Sequence, residues 1–163
     1  MRFSRKIVAR LITLVAALVV IVSVATPAHA ALIYSGDHTI IHIENGYCLD
    51  SNSAKSVYML PCNGGNYQLW DVTATFDGTC VGDYCGDGYY ITLKDVATGY
   101  CLDSNGTSVY THACGGAYQA WDVYSSTSDT LYQDATGLCL DGSGIKVYIL
   151  SCNGGAFQNW EEA

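Results

Sequence analysis

Basic side chains are nearly missing from most of this 163-residue chain. Beyond residue 30 only Lys55, Lys94 and Lys146 remain, against fifteen acidic residues, a net charge of −12. Such a surface repels phosphate backbones and anionic lipid, which argues against nucleic acid as a partner and against membrane insertion. Helical signals are missing too: no stretch after residue 30 combines apolar residues at helical spacing with a capping pattern. There is no Gly-x-Ser-x-Gly elbow, and His38, His42 and His112 stand far from any motif serine or free cysteine, so the sequence carries no sign of a nucleophilic enzyme. No histidine recurs beside the cysteines as a zinc site would need, and Asp77, Asp83 and Asp87 lack the spacing of an EF-hand loop. No metal or cofactor is expected.

A long apolar run occurs once, at residues 11–24, behind Arg2, Arg5, Lys6 and Arg10 and ahead of Pro27 and Ala28-His29-Ala30. It is shorter than the roughly 20 apolar residues of a spanning helix. A basic start, a short apolar centre and a small-x-small end predict a signal peptide over residues 1–30, cleaved before Ala31, and a secreted, extracellular product. The 133 residues that follow are enough for one compact domain.

Those residues repeat one phrase three times. Gly46-Tyr47-Cys48-Leu49-Asp50 leads through Val57-Tyr58 to Cys62-Asn63-Gly64-Gly65 and Gln68-Leu69-Trp70. Gly99-Tyr100-Cys101-Leu102-Asp103 leads through Val109-Tyr110 to Cys114-Gly115-Gly116 and Gln119-Ala120-Trp121. Gly137-Leu138-Cys139-Leu140-Asp141 leads through Val147-Tyr148 to Cys152-Asn153-Gly154-Gly155 and Gln158-Asn159-Trp160. A recurrence of this length marks a repeat architecture, here with units at about 34–76, 88–127 and 128–163. Each unit holds its own cysteine pair, Cys48 with Cys62, Cys101 with Cys114 and Cys139 with Cys152, and the near-equal spacing in an exported chain predicts three equivalent disulfides. Cys80 and Cys85, in an insertion at 77–88, are left to pair with each other. Closing loops of this size contributes on the order of 2–3 kcal/mol each.

Within each unit short apolar alternations are broken by Gly, Asn and Asp, the pattern of half-buried strands. Strands are predicted at 38–44, 90–94 and 130–132, then at each Cys-Leu-Asp, each Val-Tyr and each Gln-x-Trp. Four strands in three units make twelve, an all-β chain best satisfied by a closed barrel capped by hairpins.

Three Cys-Leu-Asp segments, each with a cysteine partner and a Gln-x-Trp, resemble the ricin B-chain type β-trefoil lectins, also called carbohydrate-binding module family 13. The wording is similar to the lectin repeats of mosquitocidal and pierisin-like toxins. The resemblance implies a disulfide-stapled β-trefoil with Trp70, Trp121 and Trp160 in the core. It also implies hydroxyl-binding carboxylates at Asp50, Asp103 and Asp141, with Gln68, Gln119 and Gln158 retained beside them. The family's stacking position, two before the second cysteine, is Leu60, His112 and Leu150. Its nearby amide positions hold Tyr58, Tyr110 and Tyr148, and Tyr67, Tyr118 and Phe157.

Strand alternation places Tyr58, Tyr110 and Tyr148 on the same side as Leu60, His112 and Leu150, so each tyrosine is a candidate platform for a sugar ring. The turn of the second unit is one residue shorter, which leaves the positions of Tyr118 and Gln119 open. The expected function is that of a secreted, non-catalytic lectin that grips a glycan or polysaccharide, alone or for a separate toxin or enzyme chain. The alternative is a protein-binding trefoil, such as a hydrolase inhibitor or a toxin's receptor-binding subunit, with degenerate sugar sites.

Overall fold

A computed structural model describes residues 35–76, 80–81, 84–85, 89–125 and 129–163. The predicted signal peptide lies outside the described residues, as do Asp77, Asp83 and Asp87. The first unit contains β1 (Gly36–His42), β2 (Tyr47–Ser51), β3 (Val57–Pro61) and β4 (Leu69–Phe76). A two-stranded ribbon follows, β5 (Cys80–Val81) and β6 (Tyr84–Cys85), with Cys80 opposite Cys85 in the backbone register. The side chains of these two cysteines, and so the bridge predicted between them, are outside what is described. The second unit is β7 (Tyr89–Asp95), β8 (Cys101–Ser104), β9 (Val109–His112) and β10 (Trp121–Ser125). The third is β11 (Asp129–Gln133), β12 (Leu138–Ser143), β13 (Lys146–Ser151) and β14 (Trp160–Glu162).

The first and last strands of the units close a ring. β1 pairs with β4, β4 with β7, β7 with β10, β10 with β11, β11 with β14, and β14 with β1. This six-stranded barrel has no free edge. The middle strands form three hairpins, β2–β3, β8–β9 and β12–β13, each hung from the first strand of its unit. The twelve predicted strands thus form one sheet, and the insertion adds two more.

Two boundaries differ from those expected. β1 stops at His42, because Gly46 takes a left-handed conformation (φ 68°) and its N–H returns to the His42 carbonyl at 2.8 Å, turning residues 43–46 back. Gly99 and Gly137 repeat the same turn onto Asp95 and Gln133. The fourth strands begin after the glutamine, since 66–68, 117–119 and 156–158 each wind into a single 3₁₀ turn.

The core follows the threefold pattern. Ile40, Leu93 and Leu131 come from the opening strands and Leu49, Leu102 and Leu140 from the Cys-Leu-Asp strands, with Trp70, Trp121 and Trp160 fully buried among them. Each indole Nε1 donates to the leucine carbonyl one residue before the unit's aspartate: Trp70 to Leu49 (3.0 Å), Trp121 to Leu102 (3.2 Å) and Trp160 to Leu140 (3.1 Å). The tryptophan therefore packs the core and also pins the strand that carries the aspartate.

Candidate functional site

β2, β8 and β12 are buried on both faces rather than alternating. Their leucines enter the core, while the cysteine and aspartate face outward beneath the 3₁₀ turn. The disulfides Cys48–Cys62, Cys101–Cys114 and Cys139–Cys152 tie that turn down, as the spacing required.

Strand register builds the outward face. Asp50 pairs with Tyr58, Asp103 with Tyr110 and Asp141 with Tyr148, while the cysteines Cys48, Cys101 and Cys139 pair with Leu60, His112 and Leu150. Directly paired residues project to one side of a sheet, so each hairpin presents an aspartate beside a tyrosine. Burial raises the phenol pKa of Tyr58, Tyr110 and Tyr148 above the ordinary value, reinforced in each case by the paired aspartate. The phenols thus stay protonated as donors. Tyr58 spends its hydroxyl on the Ser51 carbonyl (3.0 Å), and Tyr110 meets the exposed His112 ring edge-on. Burial also raises the pKa of Asp50, partly offset by the bond from Gln68.

The glutamines are fully buried, with both ends of the amide occupied. Gln68 Nε2 donates to Asp50 Oδ2 (2.8 Å) and its Oε1 accepts the Asn63 N–H (2.7 Å). Gln119 Nε2 donates to Asp103 Oδ2 (2.7 Å), and its Oε1 accepts the N–H groups of Gly115 (2.8 Å) and Gly116 (3.1 Å). The shorter second turn is absorbed there: Gly115, at φ 111°, supplies the amide that an asparagine supplies in the other two. The third unit is wired differently. Gln158 still accepts the Asn153 N–H (2.9 Å), and its Nε2 still donates to the carbonyl before the second cysteine, Ser151 (3.1 Å), as Gln68 does to Pro61 (3.2 Å) and Gln119 to Ala113 (2.9 Å), but it makes no bond to the aspartate, and Asp141 Oδ1 is buried with no hydrogen-bond partner. Next to these buried amides stand Tyr67, Tyr118 and Phe157, each 42–47% exposed.

Three further residues have a role that the sequence did not reveal. His42, Asp95 and Gln133 end the opening strands, four residues before the turn glycines, and all are fully buried. Gln133 Nε2 donates to the carbonyl of Tyr118, and His42 Nε2 lies 3.1 Å from the carbonyl of Phe157, so each holds an exposed aromatic of the preceding unit. Asp95 has no hydrogen to donate and instead accepts from the Ser51 hydroxyl and from Thr98. The Nδ1 of His42 faces Asn45 Oδ1 at 3.0 Å, an oxygen whose orientation is fixed because it also accepts the Tyr47 N–H while the Asn45 amide donates to Gly144. The shared position, a polar residue ahead of each repeated glycine, was the available signal.

The arrangement offers carboxylates, phenols and exposed rings in triplicate. Among the described residues no group of histidine, cysteine, aspartate and glutamate could hold a metal ion. The sequence profile of the ricin-type β-trefoil lectin domain matches residues 37–160. This chain belongs to that family. The fold agrees with a designed threefold-symmetric protein, ThreeFoil, at 24% identity and a TM-score of 0.63, covering 78% of this chain and 97% of that one. SeviL, solved with the asialo-GM1 saccharide, shares 17% identity at a TM-score of 0.63, covering 80% and 98%. The cytolethal distending toxin of Haemophilus ducreyi shares 17% at 0.63, covering 78% and 83%. At these identities the likeness establishes the shared β-trefoil.

Proposed function

We propose that this ricin-type trefoil is a secreted lectin without catalytic activity, using Asp50, Asp103 and Asp141 to accept hydroxyls of a saccharide. The observation that carries the reading is the register itself: in all three units an outward aspartate lies directly across from a half-buried tyrosine, beside an exposed aromatic ring. Carboxylate and phenol supply directional hydrogen bonds, and the ring covers the apolar face of a pyranose. Each aspartate is at most 6% exposed, so a hydroxyl that reaches it is shielded from water, which strengthens the bond. Gln68 and Gln119 then act by aiming the carboxylate, since their own polar atoms are engaged within the protein.

The net charge of −12 beyond residue 30 favours neutral saccharides over sulfated or sialylated ones. Three shallow pockets on one rigid barrel suit a polyvalent surface, where a second contact forms at high effective concentration. A separate toxin or enzyme chain that uses this grip is a further part of the reading, and the likeness to the Haemophilus toxin is what favours it. The test is binding of residues 31–163, oxidised and folded, to a glycan array and to insoluble neutral polysaccharides, beside the Asp50→Ala, Asp103→Ala, Asp141→Ala triple variant. Binding that disappears in a folded triple variant is expected. A folded wild-type chain that binds no saccharide overturns the reading in favour of a protein-binding trefoil.

A further inference from the structure

The third unit has a feature beside its pocket: a groove of about 380 Å³ lined by Thr130, Tyr132, Cys139, Cys152 and Gly154. That volume lies at the lower end of the roughly 300–1,000 Å³ typical of small-molecule sites. Register fixes its relation to the pocket. Tyr132 pairs with Cys139, and Cys139 with Leu150, so one row of side chains crosses β11, β12 and β13 on the outward face. The next row on that face is Asp141 with Tyr148, two residues along, a step of about 7 Å. The row that lines the groove is therefore the neighbour of the row that carries Asp141 and Tyr148, and the Cys139–Cys152 bridge forms part of the groove's wall.

The equivalent rows in the other units are chemically different. The first places Ile41 and Leu60 across Cys48, with no ring. The second places Lys94 and His112 across Cys101, and Lys94 is bound to Asp71 at 2.7 Å. Only in the third does this row hold a tyrosine ring, half-buried, with an aliphatic side chain, Leu150, that is 47% exposed. Thr130 adds a hydroxyl at its edge. An aromatic and an aliphatic surface with hydroxyls at the rim suit a second pyranose, whose ring faces are apolar and whose edge is polar.

We propose that the third pocket continues over the Cys139–Cys152 bridge into this groove, so that the third unit binds a neutral oligosaccharide across at least two sugar units, one at Asp141 and the next over Tyr132. The proposal rests on the lectin reading and specifies which pocket selects for chain length. It is tested in an Asp50→Ala, Asp103→Ala background, where the third pocket reports alone. Calorimetry would titrate neutral ladders of one to four units in the galactose, glucose and xylose series. Affinity is expected to rise roughly tenfold from one unit to two, and Tyr132→Ala to abolish that rise while leaving monosaccharide affinity unchanged. Tyr132→Lys serves as a second variant, because the second unit carries lysine at this position within the same fold, and it should behave alike. Affinity independent of length, or a rise that survives both substitutions, overturns the groove and leaves the lectin reading intact. No binding of any ladder, by this background or by the wild-type chain, overturns both.

Discussion

The second and third pockets are written in almost the same residues, yet their carboxylates are held differently. Asp103 is gripped by Gln119, whose far end takes two backbone amides. Asp141 has the corresponding glutamine, but Gln158 keeps only the bond to the carbonyl before the second cysteine, which Gln119 also makes, and none to the aspartate, and Asp141 Oδ1 is buried without a partner. A buried polar oxygen without a hydrogen bond is costly. The difference teaches that an aspartate and a glutamine at matching repeat positions do not by themselves make equivalent pockets. The second is a preassembled cage, whereas the third keeps a carboxylate whose bonding is incomplete.

The comparison breaks most severely at the bridge. Replacing Cys139 and Cys152 together by alanine should cost about 3 kcal/mol in urea unfolding, since the bridge closes a short loop, and should remove saccharide binding at Asp141 while the second pocket keeps its own. Next in size, Gln119→Ala should destabilise the fold by about 1.5–3 kcal/mol more than Gln158→Ala, because only the former deprives a carboxylate of a hydrogen bond. Equal losses in urea titrations would show that the two pockets are wired alike in solution. The smallest effect sharpens the contrast on the buried side of the hairpins. Met59, Thr111 and Ile149 occupy matching positions in β3, β9 and β13, and the Thr111 hydroxyl is buried with no partner. Thr111→Val should raise stability by about 1 kcal/mol, read as a higher melting temperature.

Much of the fold was legible because its determinants recur: three glycines at one turn, three cysteine pairs, three tryptophans that both pack and hydrogen-bond. Repetition turns weak local signals into a strong one. The tyrosines' side of the sheet was equally legible, because alternation along β3, β9 and β13 needs no knowledge of distant contacts. The short turn was not, since whether Gly115 could replace an asparagine depended on a left-handed backbone. The 3₁₀ turns were hidden within Gln-x-Trp, which reads as the start of a strand until the buried amide draws residues 66–68 into a turn. His42, Asp95 and Gln133 went unnoticed because one structural position is filled by three unlike side chains. Nothing in the identities of Asp141 and Gln158 explains their different bonding.

The contacts of His42 and Gln133 bear on how such a protein is divided. The carbonyl that seats Phe157 is held by a residue near the start of the described chain, and the one that seats Tyr118 by a residue of the third unit. Duplicated segment and candidate pocket are thus out of phase: the piece of sequence that was copied is not the piece that holds these exposed rings in place. The second or third unit cut out at its repeat boundaries would carry its aspartate, tyrosine and bridge but leave behind the clamp on its own aromatic ring, so an engineer recombining such modules should place the joints within the strands' partners rather than between the repeats.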